Sequence, residues 1–246
     1  MSLSLISLGL YDIRDMSKKA LDEAKLCNVL YFEDYTGYYN TSLEDIEKII
    51  GFSIERITRQ GLENNSDKIL KESSKNKVGI LVVGDALSAT THSSLLLEAK
   101  QKGIHVNVIH GSSVFTAIAE TGLFLYNFGK TTSIPFNNKN VYEPYNVIKS
   151  NKPFHTLLLL DLKDGKYMNA HEAIEYLLRV EKEKKEKVFT ENTLCVVCSA
   201  LGSDNSEIIA GKAEQLLNKR FTKKPQCLIV PGKMHFHEEE FLETLK

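Results

Sequence analysis

The stretch Gly84-Asp85-Ala86-Leu87-Ser88-Ala89-Thr90-Thr91-His92 puts a carboxylate, hydroxyls and an imidazole directly behind the apolar run KVGILVV at 77–83. Small side chains let another molecule approach the backbone closely. A strand-to-helix turn also presents backbone N–H groups that no helix bond uses. The stretch therefore reads as one wall of a ligand site. Its titratable groups, Asp85 and His92, join Asp12 and Asp15 of the first loop as groups able to hold or move a proton. Nothing in their spacing assigns a base among them, and Asp12 and Asp15 have a second reading as caps of the first helix.

Other constellations carry less. Cys195-Val-Val-Cys198 has redox or zinc spacing, but it lies inside TLCVVCSAL (193–201), which reads as a buried strand. Residues three apart on a strand point to opposite faces, so the sulfurs should diverge and act as small core residues. His235 and His237 find no further Cys/His set to complete a tetrahedral site, and Glu238, Glu239 and Glu240 behind them suit the acidic start of a surface helix. Ser112 and Ser113 near His110 lack a G-x-S-x-G elbow and read as a helix cap. The alternating charges of RVEKEKKEKV (179–188) describe a solvated helix end. There is no G-x-x-x-x-G-K-[ST], and Gly9 stands alone where a dinucleotide loop carries three glycines. A nucleoside triphosphate or NAD is not expected at 84–92.

The elements that must position these residues alternate. Apolar runs at 3–9, 28–33, 77–84 and 104–111 are separated by helical patterns at 18–26, 42–50, 66–74 and 92–103. That rhythm predicts an α/β unit with a mostly parallel sheet. Ser112 and Ser113 offer an N-cap for a helix that Gly122 closes. Beyond Gly129, strand candidates at 131–136, 154–162, 193–201, 206–211 and 227–232 accompany helices at about 169–187 and 237–245. Several follow one another too closely for helical crossovers, so this half should hold a mixed sheet. The expected division is 1–112 and 113–246.

Composition narrows the function classes. At 246 residues, 42% hydrophobic and a net charge of −1, the chain has the make-up of a globular protein that binds neither nucleic acid nor an acidic membrane. No apolar run reaches the length of a membrane span. The first residues lack the basic start of a signal peptide, and four cysteines suit a reducing compartment, with the cytoplasm expected.

Taken in order, LGLYDIRDMSKKALDEAK (8–25), YFEDYTG (31–37), VVGDALSATTHSSL (82–95), VIHGSSVFTAIAETGLFLYNFGKTTSI (108–134), HTLLLLDL (155–162) and LIVPGKMH (228–235) resemble the diphthine synthase family of the tetrapyrrole-methylase superfamily. The resemblance implies two α/β domains with S-adenosylmethionine in a cleft between them, commonly in a homodimer, and no metal. The activity it implies is repeated methylation of a modified histidine on translation elongation factor 2, releasing S-adenosylhomocysteine, in diphthamide biosynthesis. Cofactor contacts carry over to Leu10, Asp85, Ser88, Ser113, Val114, Leu160, Leu201 and Gln226. Ser7 stands where the family commonly has Gly, Ala86 where it has Pro, Ala200 where it has a basic residue and Gln226 where it has His. The resemblance names no catalytic base. Gly111, Ser112 and Ser113, with the loop at Tyr35-Thr36-Gly37, are expected to form the mouth that admits a protruding loop of the protein substrate. Two other functions compete: a tetrapyrrole C-methyltransferase, and a non-catalytic binding protein on the same fold.

Overall fold

The computed structural model describes residues 1–33, 35–163 and 165–246, with residues 63 and 64 as backbone alone. Asp34, inside the YFEDYTG motif, lies outside the described residues. The chain divides into two compact units, Met1–Ala117 and Ile118–Lys246. That division falls a few residues beyond the expected join at 112/113.

In the first unit, strands β1 (Ser2–Ser7), β2 (Val29–Glu33), β3 (Glu55–Arg56), β4 (Lys77–Val82) and β5 (His105–Ile109) alternate with helices α1 (Lys18–Lys25), α2 (Leu43–Ile50), α3 (Asp67–Ser73) and α4 (Ser93–Gln101). The sheet runs β3-β2-β4-β1-β5, and every recorded pairing in it is parallel. Strand periodicity of two sorts the apolar residues onto two faces. Leu3 and Leu5 of β1 pack with Ile69 and Leu70 of α3 and with Leu95 and Ala99 of α4. Ile6 and Leu8, one step along the chain, pack with Ala20 and Ala24 of α1 and Ile46 and Ile50 of α2. So β1 leads into a helix on one face, and its neighbour β4 leads into a helix on the other. Ligands of open α/β sheets bind beyond the carboxyl ends of strands at such a reversal.

Helix α1 is capped by Ser17, whose side chain accepts the Ala20 N–H. Asp12 and Asp15 are therefore not its caps. They form a capping box on a separate 3₁₀ turn at Ile13–Asp15, because a turn this short brings both carboxylates back onto its own N–H groups. The helix expected from Ser113 to Gly122 is also shorter than its pattern: α5 spans Val114–Ala117 and tightens to 3₁₀ over Ile118–Thr121.

The second unit holds β6 (Thr132–Ile134), α6 (Glu143–Asn151), β7 (Thr156–Leu160), a small hairpin of β8 (Leu162–Lys163) and β9 (Lys166–Tyr167), α7 (Ala170–Lys184), β10 (Leu194–Ser199), β11 (Glu207–Lys212), α8 (Ala213–Leu217), β12 (Gln226–Val230) and α9 (Phe236–Glu243). Its main sheet runs β11-β10-β12-β7-β6. The mixed character is as expected: β10, β11, β12 and β7 pair antiparallel, and β6 joins β7 in parallel. Ile174, Leu177 and Val180 of α7 bury against Leu158, Val197 and Leu228 on one face. No described helix is long and apolar enough to cross a membrane.

Candidate functional site

Because β1, β4 and β5 are parallel neighbours, the loops after them meet at one end of the first sheet. The backbones of Gly9 and Gly84 bond reciprocally, Gly84 N–H to Gly9 O at 2.8 Å and Gly9 N–H to Gly84 O at 3.2 Å. Ser7 Oγ accepts the Ala86 N–H at 2.9 Å. A Cβ on Gly111 would lie 2.7 Å from Ser7 Cβ, so the third loop is packed against the first.

Asp85 ties this assembly together. Its Oδ1 accepts the Leu87 N–H at 3.0 Å and the Ser88 hydroxyl at 3.2 Å. Its Oδ2 accepts the Gly111 N–H at 3.2 Å and meets His110 Nδ1 at 2.8 Å. Burial pushes the carboxyl up, but the Leu87 N–H, His110 and the Gly111 N–H outweigh it and hold it below the ordinary value. Asp85 as a whole residue is 8% exposed, which suits a fixed anion spanning two loops.

Gly9 carries a second constraint. Its φ is +87°, and an added Cβ would come within 2.5 Å of Asp15 Cβ. Gly9→Ala should therefore lower stability by about 2 kcal/mol. Urea unfolding measures this; an unchanged midpoint would show that the first loop yields freely.

The remaining polar groups are committed. Asp12 is bonded to the Arg14 guanidinium at 2.7 Å and to the Arg14 N–H at 2.9 Å. Asp15 accepts the Tyr11 N–H at 2.7 Å. His92 lies buried with its Nε2 3.2 Å from Glu33 Oε2. Glu33 also accepts the Tyr35 and Thr36 N–H groups and the Thr36 hydroxyl, so this buried pair pins the 35–37 loop to the start of α4. Neither the partnership of Glu33 with His92 nor that of His110 with Asp85 was expected from the sequence. Both join residues far apart in the chain, and no local pattern announces them.

Of the expected contact residues, Leu10, Asp85, Ser88, Ser113 and Val114 belong to the first unit. Leu10 and Val114 are half-buried, Ser88 is half-buried and Ser113 is buried. Leu160, Leu201 and Gln226 belong to the second, where the register gathers them at one end of its sheet. Ser199 at the end of β10 faces Gln226 at the start of β12, and Cys227 faces Leu159 beside Leu160. The Gln226 amide is already used within the unit: Oε1 accepts the Ala170 N–H at 2.8 Å and Nε2 donates to Lys223 O at 2.7 Å.

Cys195 packs with Val197 against α7, whereas Cys198 lies opposite Cys227 in the register. The two sulfurs of the C-x-x-C stretch therefore face opposite sides of the sheet; burial pushes the Cys195 thiol up, and the neighbouring Cys227 together with burial pushes Cys198 up. His235 is the N-cap of α9, with Glu238 reaching back to its N–H. No group of three potential metal ligands occurs among the described residues.

The chain matches the family model for Tetrapyrrole (Corrin/Porphyrin) Methylases over residues 2–217. It is similar to the diphthine synthase of Methanocaldococcus jannaschii, with 41% identity covering 99% of this chain and 98% of that one. The diphthine synthase of Methanococcus maripaludis is also 41% identical, at the same coverage of 99% and 98%. Among solved structures, a crystal structure of diphthine synthase superposes with a TM-score of 0.93 at 32% identity, covering 100% of this chain and 96% of that one.

Proposed function

The chain belongs to the tetrapyrrole methylases, on the diphthine synthase branch, and on that premise we propose that it methylates the amino-carboxypropyl histidine of translation elongation factor 2. It is a methyltransferase of diphthamide biosynthesis. The proposed methyl donor is S-adenosylmethionine, with S-adenosylhomocysteine as product. The observation that carries the reading is identity of 41% over nearly the whole chain, joined to the packed loops of Gly9, Gly84 and Gly111 at the strand reversal of the first sheet.

The residues present fit such a donor. A Cβ on Gly84 would meet nothing within 4 Å, so the backbone there is open to a ligand. Leu10 and Val114 offer apolar surface, while Ser88 and Ser113 offer polar groups suited to a nucleoside. Leu160, Leu201 and Gln226 are the proposed contacts from the second unit, with Gln226 acting through its backbone because its amide is engaged. When bound, the donor supplies an activated methyl group on a sulfonium. The protein's own task is to hold the acceptor amine in line and exclude water. Asp85 keeps the loops in register, and the Glu33–His92 pair holds the 35–37 loop for a protruding substrate loop.

A homodimer in the cytoplasm is part of the same proposal. Leu125, Tyr126, Phe236 and Phe241 are exposed and supply apolar surface for a second copy. Elongation factor 2 carrying the modified histidine, incubated with the protein and S-adenosylmethionine, should gain methyl groups by mass spectrometry. The free modified amino acid should gain few, because contacts remote from the amine are needed to orient it. Methylation of a porphyrinoid instead would favour the tetrapyrrole reading. Binding of the donor without any transfer would favour the binding-only one.

A further inference from the structure

An aliphatic amine is largely protonated at neutral pH, so its proton must leave before the lone pair can attack. Most groups near the first-unit loops cannot take it. Asp12 is paired with Arg14, and His92 is buried on Glu33. Asp85 accepts four hydrogen bonds and is held ionised.

His110 differs from all of these. It follows β5 directly, and its side chain is 70% exposed. A carboxylate only accepts, so the 2.8 Å contact with Asp85 Oδ2 places the neutral ring's hydrogen on Nδ1. Nε2 then carries a lone pair and has no partner among the described residues. Among the described residues, Asp85 is the one titratable group bonded to the ring. An imidazole oriented by a buried carboxylate, with its far nitrogen free, is the arrangement of an activated base.

We propose that His110 Nε2 is the catalytic base that takes the proton from the substrate amine, with Asp85 as the residue that positions it. This rests on the methyltransferase reading above. The substrate ammonium gives its proton to Nε2, forming an imidazolium whose Nδ1–H stays on the Asp85 carboxylate. The freed amine lone pair forms the new nitrogen–carbon bond while the methyl–sulfur bond breaks and its electron pair remains on sulfur. The exposed imidazolium then releases its proton to water, which resets the ring for the next methyl group.

His110→Asn separates this role from a structural one. The asparagine Nδ2 takes the place of Nδ1 and still donates to Asp85, but nothing occupies the Nε2 position. Calorimetric titration with S-adenosylmethionine should give an affinity within about threefold of the parent, while kcat on saturating modified elongation factor 2 falls roughly 100-fold. The residual rate should climb with pH as free amine accumulates, and added imidazole should restore part of it. Imidazole NMR of the ligand-free parent should show the Nδ1–H tautomer at His110. A kcat within about threefold of the parent, a defect confined to KM or donor affinity, or an Nε2–H tautomer would each overturn the proposal. A parent that binds the donor yet leaves the modified factor unmethylated fails at the functional reading itself and takes the base with it.

Discussion

Asp85→Ala is expected to weaken S-adenosylmethionine binding by roughly ten- to hundredfold, because one buried anion holds two loops through charge-assisted bonds. Removing it strands the Leu87 and Gly111 N–H groups and the His110 ring together. Asp85→Asn should do nearly as badly. Both carboxylate oxygens face donors, so whichever side the asparagine NH₂ occupies, donor meets donor. The wild-type carboxyl lies below its ordinary value on folding. A depressed carboxyl contributes stability above its unfolded pKa and loses it as pH falls through the folded one. The parent loops should therefore loosen on acidification below about pH 4, and Asp85→Ala should show less of that loss. Calorimetric titration with the donor at neutral pH decides the main point. Equal affinity for parent and Asp85→Ala would mean that neither loop register nor the carboxylate matters to binding.

The first sheet was legible because its signals are local. Alternating runs such as LSLISLG and KVGILVVG, each followed by a helical stripe, leave little choice but a parallel α/β unit, and small residues after Gly84 mark a loop that a ligand approaches. The second sheet was legible from spacing alone, since strands so close together cannot be joined by crossovers. What stayed hidden were partnerships across the chain. Asp85 announces itself by its place after a strand, but His110 lies 25 residues away and reads as an ordinary residue before a serine cap. Glu33 and His92 are 59 apart. Asp12 and Ser17 are both good N-cap residues, and only the extra 3₁₀ turn decides which one caps α1.

The largest loss of stability is expected at a pair that no local pattern in the chain joins. Glu238→Ala should lower the unfolding free energy by about 3–5 kcal/mol, the usual cost of breaking a buried, hydrogen-bonded ionic site. Glu238 Oε1 accepts the Phe124 N–H at 2.7 Å and His155 Nε2–H at 3.0 Å, and Oε2 accepts the His235 N–H at 2.7 Å. Both side chains are fully buried. The Gly232 N–H donates to His155 Nδ1 at 2.9 Å, which puts the ring's hydrogen on Nε2 and aims it at the carboxylate. Alanine would leave that buried hydrogen without an acceptor and strip the Phe124 and His235 N–H groups of theirs. It would also remove the capping-box partner at the start of α9. Glu238→Gln can keep its oxygen on the Phe124 N–H and His155 and turn its NH₂ toward the N–H of the exposed His235, which water can satisfy, so its loss should be smaller. Burial pushes the Glu238 carboxyl up, but the Phe124 and His235 N–H groups and His155 outweigh it and bring it below the ordinary value. Its contribution is thus complete above the unfolded carboxylate range and fades as pH falls through the folded value. Urea unfolding at neutral and acid pH measures both effects. The gap between parent and Glu238→Ala should be widest at neutral pH and narrow on acidification; a gap that stayed constant would show that the carboxylate's charge contributes nothing there.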